Sequence, residues 1–275
     1  MPALKPAVVS HRAHAGTHPE NTLLGIQAAL DDGCEAIEVD VRRTLDGGLI
    51  LMHDATFTRT TGDRRVVAET ETAEACALQV LPRDSTQQPQ PVPLLEDALR
   101  LIDGKAAVVI DFVEESIADD LIGLVRQMDA ASWTWWTAHN PRLAERLAAA
   151  TPGSRSYLGW TPGDNIFASP IDALEACVRR GLTGIMANHP YIDETVVRFA
   201  HREDLQVGAW TVNLPKRMAI LAGLGVDAIT TDYPRALLSM REHATSHAAI
   251  EDLDRPINLR WAHRDYAPPS EPAGA

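Results

Sequence analysis

Residues 7–12 read Ala7-Val8-Val9-Ser10-His11-Arg12, and residues 36–41 read Ala36-Ile37-Glu38-Val39-Asp40-Val41. A third short run, Leu49 to Met52, ends in His53-Asp54. The first and third runs are nearly all apolar, as strands buried within a parallel sheet are. A buried strand that stops at a histidine or an acid is costly unless that end is wet and functional. Similar apolar runs recur further along: Ala106 to Phe112, Ser132 to Thr137, Arg155 to Trp160, Gly184 to Ala187, Gln206 to Val212 and Ala228 to Thr231. With Ala7 to Ser10 and Ala36 to Val41 they make eight. Amphipathic stretches fit between them, at Thr22 to Asp31, Leu94 to Ile102, Ile117 to Met128, Arg142 to Ala149, Pro170 to Arg179, Glu194 to Arg202 and Leu214 to Ala222. This alternation predicts βα units around a parallel sheet. Eight such units are the count of a single (β/α)8 TIM barrel, whose active site lies at the C-terminal ends of the strands.

The 275 residues, 45% of them apolar, are ample for one barrel of that size. Residues 1–250 are expected to form it, with an insertion at about 54–93 where the alternation breaks. Pro82 to Pro93, rich in Pro, Gln and Ser, reads as an extended or mobile loop. Residues 251–275 read as a partly disordered tail because of Pro268-Pro269-Ser270-Glu271-Pro272. A net charge of −13 without any dense Lys/Arg run argues against nucleic acid or an anionic membrane as partner. Met1 to Pro6 carries no apolar signal region, and no apolar run reaches spanning length, so a cytoplasmic protein without membrane insertion is expected. Cys34, Cys76 and Cys177 are too few and too scattered for a disulfide framework. Oligomeric state leaves no mark in the sequence.

Glu38 and Asp40 are two apart on a strand and so share one face, while Ile37, Val39 and Val41 supply the other. Two inward carboxylates repel unless a cation sits between them, and hard oxygen ligands suit Mg²⁺ or Ca²⁺, with Mn²⁺ as a third candidate. His11 and His53 can each take up and return a proton near neutrality. Arg12 offers a planar fork of donors that suits phosphate oxygens; a salt bridge to Glu20 or Asp40 is the competing reading. Glu20 and Asn21 either help shape the phosphate or metal site or cap the helix that follows. His14 is a further candidate donor near the phosphate, His189 reads as structural, and Trp133, Trp135, Trp136 and Trp160 read as packing.

The ordered set of motifs resembles the glycerophosphodiester phosphodiesterase family. It comprises His11-Arg12, Pro19-Glu20-Asn21-Thr22, Ile37-Glu38-Val39-Asp40-Val41, Thr44-x-Asp46-Gly47, His53-Asp54 and Arg59-Thr60-Thr61-Gly62. Near the C-terminus, Ala209-Trp210-Thr211-Val212-Asn213 and Gly225 to Pro234 extend the resemblance over roughly residues 8 to 237. The resemblance implies a TIM barrel with a small insertion after the second strand. It implies metal-dependent hydrolysis of glycerophosphodiesters, such as glycerophosphocholine, to sn-glycerol 3-phosphate and an alcohol. It assigns His11 and His53 as general acid and base, and Glu38, Asp40 and the acid at the end of the third strand, here Asp111, as metal ligands. Glu114 and Glu115 stand in reserve for that third place. It sets Trp210 against the glycerol moiety, with a core role as the alternative; Asp232 and Tyr233, which close the eighth strand, read as support for the site.

The chain departs from the family at two places. The third-strand motif Glu-x-Lys is Asp111-Phe112-Val113 here, and His-Arg-Gly is His11-Arg12-Ala13. Loss of the lysine motivates a second reading, the same machinery on another phosphodiester, as in phospholipase D-like lyases that form a cyclic phosphate. A barrel that binds without cleaving is the reading from outside catalysis.

Overall fold

The structure, a computed structural model, describes residues 6–82, 87–112, 114–163 and 166–243. The expectations for Val113, for part of Pro82 to Pro93 and for the tail 251–275 lie outside the described residues. The strands are β1 (Ala7–Ser10), β2 (Ala36–Arg43), β3 (Leu49–Leu51), β4 (Gln79–Val80), β5 (Gln90–Pro91), β6 (Ala107–Asp111), β7 (Thr134–Ala138), β8 (Arg155–Trp160), β9 (Gly184–Asn188), β10 (Gln206–Trp210) and β11 (Ala228–Thr231). The helices are α1 (Leu23–Asp31), α2 (Thr58–Thr61), α3 (Thr72–Ala77), α4 (Leu95–Ile102), α5 (Ala118–Gln127), α6 (Pro141–Ala150), α7 (Pro170–Arg180), α8 (Glu194–Arg202), α9 (Pro215–Leu224) and α10 (Pro234–His243).

Eight parallel strands run β1, β2, β6, β7, β8, β9, β10, β11 and close on themselves. Closure comes from β1, which pairs with β11 through Val9 and Thr230 and with β2 through Val9 and Ala36. The eight runs read from the sequence are these strands, and the barrel is a (β/α)8 TIM barrel. A helix that the pattern did not delimit, α10, follows the last strand.

Leu49–Leu51 corrects one expectation. It is no parallel barrel strand but pairs antiparallel with the end of β2, Val41 opposite Leu51. An apolar run alone does not reveal strand direction; Thr44-Leu45-Asp46-Gly47, with Gly47 at φ 96°, turns the chain straight back. The described part of the insertion has its own small core, in which Phe57, Val67, Ala75, Val80 and Val92 pack on Ile50 and Met52. Its β4 and β5 pair antiparallel.

Alternation along the strands decides what the barrel holds. Ile37, Val39 and Val41 of β2, with Val108 and Ile110 of β6, join the core between sheet and helices. Ala36 and Val109 face inward, where they meet Val9, Trp135, Tyr157 and Met186 in an apolar plug. The inward positions above that plug on β2 are Glu38 and Asp40. Trp136 is fully buried and Trp135 and Trp160 nearly so, in keeping with packing roles.

Candidate active site

The pairing of β2 with β6 puts Asp40 opposite Asp111. Glu38, Asp40 and Asp111 thereby form a group whose candidate ligand oxygens lie within 4.8 Å of one another. Burial, and then the charge of Asp40, push the Glu38 carboxyl up to about 8. Asp111 is raised by the same two causes, against the pull of His139, His53 and His11. Two buried carboxylates and a half-buried third, crowded together and all with hard oxygen donors, fit a divalent cation. The reserve candidates are placed elsewhere: Glu114 takes Arg42 Nη1 at 2.6 Å, and Glu115 sits on the wall of the cavity.

The chain leaves β1 through a left-handed turn in which Arg12, Ala13 and His14 have φ of 45°, 53° and 73°. Such a conformation costs about 1 kcal/mol for each residue with a Cβ, so neighbours must hold it. Arg12 N donates to Glu38 Oε2 at 2.6 Å, Ala13 N to Glu38 O at 3.0 Å, and Asn21 N to Arg12 O at 2.8 Å. His14 corrects a second expectation. It is buried, its Nε2 lies 2.9 Å from Asp32 Oδ2, and Asp32 is also gripped by Arg235. The ring therefore pins the turn to the end of α1 and takes no place in the cavity. Burial alone would raise Asp32, but the hydrogen bonds from Arg235 and His14 hold its carboxyl below the usual range.

The helix that follows is capped by Thr22, whose side chain accepts from Gly25 N, so capping by Glu20 or Asn21 is ruled out. Asn21 Nδ2 instead donates to Asp40 Oδ2 at 2.7 Å, and Asp40 N donates to Asn21 Oδ1. Arg12 stands 3.5 Å from both Glu20 and Asp40, as the competing reading had it, yet its buried Nε makes no hydrogen bond.

Both histidines are backed by acids. His11 Nδ1 lies 2.6 Å from Asp232 Oδ1, and Asn213 steadies that aspartate with Nδ2 on Oδ2 at 2.6 Å. Burial would lower the His11 pKa; the charge and hydrogen bond of Asp232, with Glu38 behind, outweigh it and raise it. His53 Nδ1 lies 2.6 Å from Asp54 Oδ1, and Arg59 binds that aspartate in turn. In both rings the bond at Nδ1 leaves Nε2 for other partners.

These groups share the wall of one cavity of ≈ 980 Å³ at the C-terminal end of the barrel. Trp210 lines it while its Nε1 donates to Met186 O at 2.9 Å, which anchors the indole. His189 lines it too, its carbonyl and ring held by Arg217. Sequence reasoning passed over His139, Arg59 and Asn213 as individual residues. His139 follows β7 and packs against the bare face of Gly159, where a Cβ would come within 3.0 Å of its ring. The motif strings that hold Arg59 and Asn213 were visible, but their partners lie 39 and 19 residues away.

Residues 11–154 and 163–236 match the Glycerophosphoryl diester phosphodiesterase family. The chain belongs to this family of enzymes. A glycerophosphodiester phosphodiesterase of Bacillus altitudinis is 25% identical over 260 residues, which cover 86% of this chain and 98% of that protein. The putative glycerophosphodiester phosphodiesterase YhdW of Bacillus subtilis is also 25% identical, over 244 residues and with the same coverage. Among solved structures, a putative glycerophosphoryl diester phosphodiesterase from Silicibacter pomeroyi superposes with a TM-score of 0.76 at 24% identity, covering 88% of this chain and 95% of that one. An Oleispira antarctica phosphodiesterase in complex with its product sn-glycerol-3-phosphate gives 0.71 at 22% identity, with 86% and 97% covered. These likenesses agree with the fold described above. Among the described residues, no helix is long and apolar enough to cross a membrane.

Proposed function

We propose that this member of the family hydrolyses glycerophosphodiesters to sn-glycerol 3-phosphate and an alcohol, with a divalent cation on Glu38, Asp40 and Asp111. The observation that carries the reading is a pair of aspartate-backed histidines on the same cavity wall as a cluster of carboxylates. A bound Mg²⁺, Ca²⁺ or Mn²⁺ supplies positive charge against the phosphate oxygens, as the carboxylates supply its hard ligands. Arg12, whose buried Nε stands 3.5 Å from Asp40 Oδ2 without making a hydrogen bond, turns its guanidinium to a phosphate oxygen, which completes the bonding of that donor. Trp210 offers an apolar face to the glycerol carbons. Of His11 and His53, one removes the proton from the attacking oxygen and the other returns one to the departing alcohol, each ring held in its tautomer by its aspartate.

The test is release of glycerol 3-phosphate from glycerophosphocholine, glycerophosphoethanolamine and glycerophosphoglycerol, with each metal and with a chelator. Release that needs metal is expected, and His11→Ala or His53→Ala lowers kcat by at least about 10²-fold without loss of fold. Activity retained in both variants would overturn the histidine roles. A protein that binds metal and cleaves none of the three diesters would overturn the substrate assignment.

A further inference from the structure

The segment between β3 and α4 begins with His53 and Asp54, and a further side chain of it links these two to the residues that follow β1. Arg59, on α2, places Nη1 and Nη2 at 2.7 and 2.8 Å from the two oxygens of Glu20. Its Nε and Nη2 lie 2.7 and 3.2 Å from the two oxygens of Asp54. The carboxylates it joins serve different groups. Asp54 holds His53 through Nδ1, and Glu20, buried at 5% exposure, faces Arg12, which faces Asp40. Charge alternates along the chain of contacts from Asp54 through Arg59, Glu20 and Arg12 to Asp40, with His53 held at its first acid. A planar guanidinium can grip two carboxylates at once in this way, and an ammonium cannot.

We propose that Arg59 is a positioning residue that fixes the proton-moving His53 and the phosphate-facing Arg12 in one register, so that the insertion completes the catalytic apparatus. This inference rests on the function proposed above. Without Arg59, two separate things happen. Asp54, 28% exposed, turns to water and frees a ring that is itself 43% exposed. Glu20, buried and short of a cation, draws Arg12 toward itself and away from the cavity. Loss of the first grip lowers kcat, and loss of the second raises KM.

The experiment uses the full chain with metal and compares Arg59→Gln and Arg59→Lys, alone and combined with Asp54→Asn or Glu20→Gln. Arg59→Gln is expected to lower kcat and raise KM by about tenfold each, measured well below its melting temperature, where the variant is fully folded. On the Asp54→Asn background it changes only KM, and on the Glu20→Gln background only kcat. Arg59→Lys restores one effect and not both. Long-range ¹H–¹⁵N spectra of the histidine rings report the tautomer of His53 without any substrate; a single tautomer in the parent and a mixture in Arg59→Gln is expected. Unchanged kinetics, losses that simply add on both backgrounds, or a loss explained by a lower melting temperature would each overturn the proposal. If the parent cleaves no diester, the function reading falls and the spectra alone decide, with identical tautomers in parent and variant overturning Arg59.

Discussion

His11 and His53 are alike in chemistry and different in setting. His11 lies at the end of β1, 19% exposed and held by an aspartate from the far end of the chain, whereas His53 is 43% exposed and held by its own neighbour. The more buried ring depends more on its partner, because burial opposes its charged form and Asp232 makes a short bond to it. Asp232→Asn keeps the size but removes the charge and lets the amide present either end to Nδ1. The expected result is a fall in kcat on the order of 10²-fold with KM close to the parent's, measured on glycerophosphocholine at saturating metal. A rise in KM with kcat intact would mean that Asp232 shapes the substrate pocket and does not orient the histidine. At this scale the sequence marked His11, His53, Glu38 and Asp40 as candidates, since each ends or interrupts an apolar run, and the family resemblance added Asp111 at the end of another. It did not show the contacts that Asp232, Arg59 and Asn21 make, because these join segments that only closure of the barrel brings together. His14 misled for a related reason: adjacency in sequence to Arg12 says nothing of direction once three successive residues turn left-handed.

Among the elements, the strands were the legible part, since a parallel strand buried on both faces is written as an apolar run. The β3 arm was not, because Leu49–Leu51 has the composition of such a strand and the direction of a hairpin. The packing of α1 on the left-handed turn was equally hidden. It depends on Gly25, at which an added Cβ would lie 1.9 Å from Ala13 O. An alanine at this helical position gains about 1 kcal/mol of intrinsic propensity but meets a backbone oxygen that has no room to move. The turn is fixed by Glu38 on one side and by His14 with Asp32 on the other. Gly25→Ala is therefore expected to destabilise the protein by about 1–3 kcal/mol in urea unfolding, as overpacking does, and to lower kcat because His11 and Arg12 ride on the displaced turn. Stability at or above the parent's would show that α1 slides freely and that the turn is set from within.

For the whole molecule, the barrel is filled unequally along its axis. Below, Val9, Val109, Trp135, Tyr157 and Met186 close it with apolar packing; above, the same inward rows carry Glu38, Asp40 and Asp111. The molecule thus stores electrostatic strain where its chemistry is expected, and metal-free protein must bear it. With its carboxyl pushed up to about 8 by burial and by Asp40, Glu38 binds a proton in the folded state that the unfolded chain releases at ordinary carboxylate pH. Between those two values the folded state binds more protons, so stability falls as pH rises. In chelator, the urea midpoint is expected to drop as pH is raised from about 5 to 8. Glu38→Gln, which has no proton to lose, should flatten that slope and unfold later than the parent at pH 8. Metal at a hundred times its dissociation constant adds about 2.7 kcal/mol and removes the slope in the parent, because the bound cation keeps the carboxylates ionised. It should do much less for Glu38→Gln. A parent whose midpoint is flat or rises with pH in chelator would mean that the three acids are relaxed without a cation, and that the cluster is no metal site.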